Sequence, residues 1–264
     1  MKQSALLKKI LSAKRSEISK ARKIKSLQVL KEELAHAPAC RNFLEAIRRK
    51  RAYDINLIAE LKRASPSRGV MRPKLEIESM ARDFERAGAT ALSVLTDEKF
   101  FGGTMADIMR AKRACSLPVL RKDFIIDEYQ LHETRLAGAD AVLIIVRLHN
   151  QKKLESLIAT AKNLSLVTVV EVHSANEMKR ALATDTTVIG INTRDLATLK
   201  IDHGIARDLR NLVPAGKIVV CESGISEKSQ VNELRDLRFD SMLVGEALMR
   251  SRNPVELIHE LLYP

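Results

Sequence analysis

Two stretches, Arg86-Ala-Gly-Ala-Thr-Ala-Leu-Ser-Val-Leu95 and Leu136-Ala-Gly-Ala-Asp-Ala-Val-Leu-Ile-Ile145, repeat one design about fifty positions apart. Each closes an amphipathic segment on Ala-Gly and restarts as an apolar run. Glycine there supplies the left-handed residue on which a helix ends. The short aliphatic run that follows reads as a buried strand. A helix, a tight turn and a buried strand, twice over, form part of a βαβ chain, whose strands lie parallel.

Six more runs extend the series: Leu57 to Leu61, Val119 to Arg121, Thr168 to Val172, Val188 to Asn192, Ile218 to Glu222 and Met242 to Val244. Ala91 to Leu95 and Ala141 to Val146 bring the number to eight. Their starts fall about 20 to 35 residues apart, room for a strand, a helix and two short loops. Eight such units close a barrel. The expected fold is α/β, a single (β/α)8 TIM barrel over residues 51–264, preceded by a basic helical extension over residues 1–50. An open doubly wound sheet has the same periodicity, but no Gly-x-Gly-x-x-Gly follows the first strand. Helix starts are legible too: Ser174 has Glu177 in capping-box position, and Ser226 precedes Val231, Leu234 and Leu237.

The 264 residues are 45% hydrophobic and 30% charged, an ordinary composition for a globular enzyme. The apolar runs are strand-length, well short of the roughly 18 residues of a membrane span. Lys2, Lys8, Lys9 and Lys14 interrupt any secretory h-region, so a cytoplasmic protein without a membrane partner is expected. Cys40, Cys115 and Cys221 are widely spaced and read as reduced thiols, and the six histidines show no metal-ligand spacing, so no metal is expected. Residues 1–50 carry +10 of the net charge of +12. Within them Leu6, Leu7, Ile10, Leu11 and Ile18 recur at helical spacing, which predicts a helix with one face docked and a basic face in water. The rival reading is a polyanion-binding tail. Basic charge alone is nonspecific and no aromatic platform accompanies it, so nucleic acid is not expected as a partner.

A barrel carries its active site at the C-terminal ends of its strands. Side chains alternate with period two, so Ile58, Glu60 and Lys62 share a face of the first strand. Lys122 is in phase with Leu120, Glu171 with Val169 and Asn192 with Gly190. One such residue reads as a salt bridge at the rim. Several ionisable groups at matching depth are costly to desolvate without a use. Glu222-Ser223-Gly224-Ile225 after the seventh strand and Val244-Gly245-Glu246 after the eighth could offer backbone N–H groups to a phosphate, and Ser65-Pro66-Ser67 could add hydroxyls.

These segments resemble the indole-3-glycerol-phosphate synthase family. The matching stretches are Ile58 to Gly69, Ser93 to Asp97, Phe101 to Thr104, Val119 to Ile126, Val170 to His173, Gly190 to Leu196, Glu222 to Ile225 and Leu243 to Arg250. The resemblance implies that 1-(o-carboxyphenylamino)-1-deoxyribulose 5-phosphate is closed, decarboxylated and dehydrated to indole-3-glycerol phosphate, with no cofactor. It implies Lys122 as general acid of ring closure, its pKa brought down by burial or by Arg121 and Lys62 as neighbours. Glu171, Glu60 and Lys62 would share the dehydration, with Asn192 orienting Glu171. Arg194 would meet the anthranilate carboxylate, Phe101 and Phe124 would wall the ring, and Ser65, Glu222, Ser223, Gly224, Gly245 and Glu246 would hold the rest of the substrate. Thr193 and Gly102 depart from the family's usual residues. A buried lysine also suits a Schiff-base aldolase. A monomer or weak homo-oligomer is expected.

Overall fold

The structure, a computed structural model, describes residues 5–195, 198–202 and 204–263. Of the residues singled out above, Lys2 and Leu196 lie outside these. Eight strands form a closed barrel: β1 Asn56–Leu61, β2 Ala91–Leu95, β3 Val119–Lys122, β4 Ala141–Ile145, β5 Val167–Val172, β6 Val188–Asn192, β7 Ile218–Glu222 and β8 Ser241–Val244. Neighbours in sequence pair in parallel, and β8 closes on β1 with Asn56 level with Ser241 and Ala59 level with Val244. The open sheet is thereby excluded. Helices alternate with the strands, from Ile77–Arg86 after β1 to Pro254–Leu262 after β8. Strand limits differ from the sequence reading by a single residue at most; β4, for example, stops at Ile145 because Val146 opens a 3-10 turn.

Alternation sorts the strand residues into two layers. Leu57, Ala59 and Leu61 pack outward in one cluster with Val94, Val119 and Val170. Ile58 packs inward with Leu120, Val169, Val220 and Leu243. Glu60, Lys122, Glu171 and Glu222 are in phase with the inward set, one step nearer the C-terminal ends. The barrel is therefore apolar low in its interior and ionic at its mouth.

Gly88 and Gly138 follow the helices that end at Arg86 and Leu136, with φ of +102° and +84°, as their place before a strand requires. Ser174 caps Ala175–Leu182 by accepting from Glu177 N–H, but the Glu177 carboxylate returns to His173 N–H, one residue ahead of the cap. Ser226 is not a cap. Glu227 fills that role, in a capping box with Gln230.

The extension folds as α1 Ala5–Ile24, α2 Leu27–Glu33 and α3 Phe43–Ile47. Phe43 and Ile47 are fully buried against the inner cluster, and Ser241, first residue of β8, donates its hydroxyl to Ile47 O at 2.6 Å. Thus α3 plugs the N-terminal end of the barrel. Leu7, Ile10 and Leu11 of α1 join the same cluster from the opposite end. The docked face is as the spacing predicts, with one correction: Lys14 belongs to it and is buried. Among the described residues no helix is long and apolar enough to cross a membrane. Cys115 and Cys221 are buried, Cys40 is half-buried, and all three thiols are free.

Candidate active site

A cavity of about 660 Å³ opens at the C-terminal mouth, roofed on one side by Leu6, Leu7 and Ile10 of α1. All fourteen site residues expected from the sequence line it. At its floor the Lys122 ammonium ends a four-residue strand and sits between two buried carboxylates, 3.1 Å from Glu171 Oε2 and in close contact with Glu222 Oε2. Burial works to lower the Lys122 pKa, but Glu222, Glu171 and Glu60 outweigh it and hold the ammonium above its ordinary value. This reverses the sequence expectation of a depressed lysine. Arg121 plays no part in that, because alternation turns it outward. There it donates to Thr96, Gln130 O, Thr134 and Asp123 in the layer between barrel and helices.

The two carboxylates differ. Burial disfavours charge on both. Lys122 and His173 together hold Glu171 below the usual carboxylate range, whereas burial and the neighbouring Glu171 charge push Glu222 up despite Lys122. The close approach needs glycine on the next strand: a Cβ at Gly190 would lie 2.1 Å from Glu222 Oε1. A second pair repeats the device. Lys62 Nζ is 2.7 Å from Glu60 Oε1, Ser93 donates to Glu60 Oε2 at 3.3 Å, and a Cβ at Gly245 would come within 2.3 Å of Glu60. Burial opposes the Glu60 charge, but Lys62 and Lys122 keep its carboxyl below the ordinary range. Gly245, expected only as a phosphate contact, thus also makes space for a carboxylate.

Toward the rim, Arg194 Nη2 lies 2.9 Å from Glu246 Oε2, and Arg68 Nε 2.7 Å from Glu246 Oε1. The Asn192 amide oxygen accepts from Arg194 N–H at 3.0 Å, so its bond runs to the arginine backbone where the resemblance implied an orientation of Glu171. Phe101 and Phe124 stand with ring centroids 6.2 Å apart, tilted by 43°. Opposite them, Ser223 and Gly224 adopt φ of +70° and +78°, turning the chain sharply past Glu222, and Ser65 faces the same space. The two departures fit locally. Thr193 donates its hydroxyl to Glu222 O and Ser223 O, and Gly102 takes a left-handed φ of +68° after the short helix Glu98–Phe101.

Three contacts were missed in the sequence. His173 Nε2 is 3.3 Å from Glu171 Oε1, behind the carboxylate, and its Nδ1 is 3.4 Å from Glu177 Oε2. Ser93, in the sequence only part of a matching stretch, donates to Glu60. Lys14 Nζ lies 2.9 Å from Asp123 Oδ1 and 3.2 Å from Asp97 Oδ2. A signal for Lys14 existed: at three and four residues from Leu11, Ile10 and Ile18 it completes the apolar stripe of α1. Among the described residues no group of three or more His, Cys, Asp or Glu is arranged to hold a metal ion.

Solved structures share the architecture. The chain superposes on a thiamine phosphate pyrophosphorylase from Pyrococcus furiosus with a TM-score of 0.58 at 17% identity, covering 80% of this chain and 95% of that one. An N-acetylmannosamine-6-phosphate 2-epimerase from Clostridium perfringens gives a TM-score of 0.60 at 14% identity, covering 80% and 92%. At such identity the likeness speaks for the fold alone. Sequence relatives are much nearer. An indole-3-glycerol phosphate synthase of Aromatoleum aromaticum is 44% identical over 259 residues, 98% of this chain and 99% of its own length. Those of Burkholderia cenocepacia and Dechloromonas aromatica are each 42% identical, over 98% and 95% of this chain and 100% and 96% of their own. The family model for indole-3-glycerol phosphate synthase matches residues 7–261, the docking helix, all eight strands and the ionic mouth included, and the chain belongs to that family of carboxy-lyases of tryptophan biosynthesis.

Proposed function

We propose that the mouth cavity binds 1-(o-carboxyphenylamino)-1-deoxyribulose 5-phosphate and that Lys122 is the general acid of ring closure. The observation that carries this reading is the Lys122 ammonium held between Glu171 and Glu222 on the cavity floor. A cation fixed there stabilises the negative charge that grows on the substrate carbonyl oxygen as the aromatic carbon attacks, and supplies its proton. The carboxylate leaves as CO2, restoring aromaticity, and the hydroxyl leaves as water. Glu171, held low, is the base for the ring-side proton. Glu60 and Lys62 assist departure of the hydroxyl, and Glu222, paired with Lys122, contacts the substrate.

Arg194 takes the anthranilate carboxylate by exchanging its bond with Glu246, and Asn192 fixes the Arg194 backbone while contacting substrate. Phe101 and Phe124 wall the ring. Ser65, Ser223, Gly224 and Gly245 hold the phosphate. The extension over residues 1–50 and the barrel over 51–264 work as cover and container. In this reading no cofactor, nucleic acid or membrane takes part, and the protein acts in the cytoplasm as a monomer or weak homo-oligomer.

The test is purified protein given the substrate without added metal or cofactor while indole fluorescence is followed, beside Lys122→Met. The variant keeps the side-chain stem and removes the acid. Turnover measured well below the thermal midpoint falls by about 10³-fold or more, with inorganic-phosphate binding retained. Substantial residual turnover, or borohydride trapping of substrate on Lys122, overturns the assignment.

A further inference from the structure

Most cations of α1 face water; Lys14 does not. Its side chain is 1% exposed, and its ammonium lies 2.8 Å from Glu17, 3.2 Å from Asp97 and 2.9 Å from Asp123. Glu17 is half in solvent, but the two aspartates are buried. Burying an ammonium costs much of its hydration unless carboxylates replace it. Docking alone does not call for a cation here, since Leu7, Ile10, Leu11 and Ile18 already supply the apolar face.

Both aspartates do structural work next to the site. Asp97 follows β2 and caps Glu98–Phe101 by accepting from Phe100 N–H at 2.8 Å, so it sets the turn on which Phe101 stands. Asp123 directly follows Lys122. Its carboxylate accepts from Phe124 N–H at 2.8 Å, from Thr96 Oγ1 at 2.6 Å and from Arg121 at 2.8 Å. One ammonium therefore joins α1 to the two loops that present the aromatic pair.

We propose that Lys14 is a positioning residue for the reaction: it locks Asp97 and Asp123 so that Phe101 and Phe124 wall the aromatic half of the substrate only when α1 is docked over the mouth. The inference rests on the site assigned above. Without the ammonium, two buried carboxylates lose their shared counter-ion, the loops relax, and the ring wall loosens while Lys122 and its carboxylates stay in place.

The test compares Lys14→Met, Lys14→Arg, Asp97→Asn and Lys14→Met/Asp97→Asn with Arg22→Ala, which removes a different contact of α1, the Arg22 to Asp127 ion pair. Kinetics are followed well below each thermal midpoint, and inorganic-phosphate binding is titrated in parallel. Expected for Lys14→Met is a KM raised about tenfold with kcat within about threefold, since a displaced wall costs binding and orientation before it costs proton transfer. Phosphate binding is unchanged, Lys14→Arg recovers part of the loss, and the double variant is no worse than the single one, because both break one link. Arg22→Ala leaves KM as it was. Lower stability with wild-type KM and kcat in Lys14→Met overturns the proposal, leaving Lys14 a docking residue. Should Lys14→Met not fold, wild-type KM in both Lys14→Arg and Asp97→Asn overturns it equally. Failure of the site reading is separate: it would appear as turnover surviving in Lys122→Met.

Discussion

The N-terminal segment meets both ends of the barrel, and the two contacts have opposite chemistry. At the N-terminal end α3 fills the opening with Phe43 and Ile47, neither measurably exposed, and packs them on the inward residues of the strands. At the C-terminal end α1 brings Leu7 and Ile10 over a cavity of about 660 Å³ whose floor holds Lys122, Glu60, Glu171 and Glu222. Buried ionisable groups are costly and filled cores are not. The chain therefore accepts that cost at the mouth and not at the plug. A plug contributes stability, whereas a covered, hollow, charged mouth contributes chemistry, the division expected between the two faces of a TM barrel.

The largest effect is expected at Glu171. Glu171→Gln keeps shape and removes the titrating group, so kcat is expected to fall by about 10³-fold with KM within about threefold. The thermal midpoint should hold or rise, because one buried charge disappears from a site not built for stability. A variant limited by weak binding makes Glu171 a contact for substrate and leaves the base unassigned. At the other end, Phe43→Ala removes a ring from a packed plug and should cost about 3–5 kcal/mol of stability in urea unfolding. Its kcat and KM, measured well below the midpoint, should match wild type. A raised KM would mean that plug and mouth are coupled through the strands.

Most of the barrel was legible because alternation and helix spacing are local signals. The repeated Ala-Gly turns and eight apolar runs gave strand limits to within a residue, and the period of two put Glu60, Lys122 and Glu171 on the inward face. What the sequence withheld depends on which groups meet across the barrel. Nothing local says that Glu222, from the seventh strand, reaches Lys122 from the third, or that Gly190 leaves room for it. The lysine was therefore expected to be lowered by cations when carboxylates surround it. Lys14 is the opposite case. Its place on the apolar stripe was visible, but a charge is ordinarily assigned to solvent, and only Asp97 and Asp123 from two distant loops explain its burial.

Asp123 gives the smallest expected effect, read through pH. Burial alone would raise the Asp123 pKa, but Arg121 and Lys14 hold it down at about 2, below its ordinary 3.8. A carboxyl depressed in the folded state contributes stability that is fully present above its unfolded pKa. That stability is lost as pH falls from there through the folded value. For Asp123 the window runs from about pH 4 to about pH 2, and a shift of this size corresponds to about 2 kcal/mol. Urea unfolding at a series of pH values between 5 and 2 should show Asp123→Asn less stable near pH 5 yet with a shallower decline below pH 4. Phe43→Ala should lower the whole curve in parallel, because an apolar plug binds no protons. The two ends of the barrel would then be told apart by slope against offset. Should Asp123→Asn keep the wild-type slope, the acid sensitivity lies elsewhere, and the ion cluster linking α1 to the mouth does not hold Asp123 ionised in the way its contacts require.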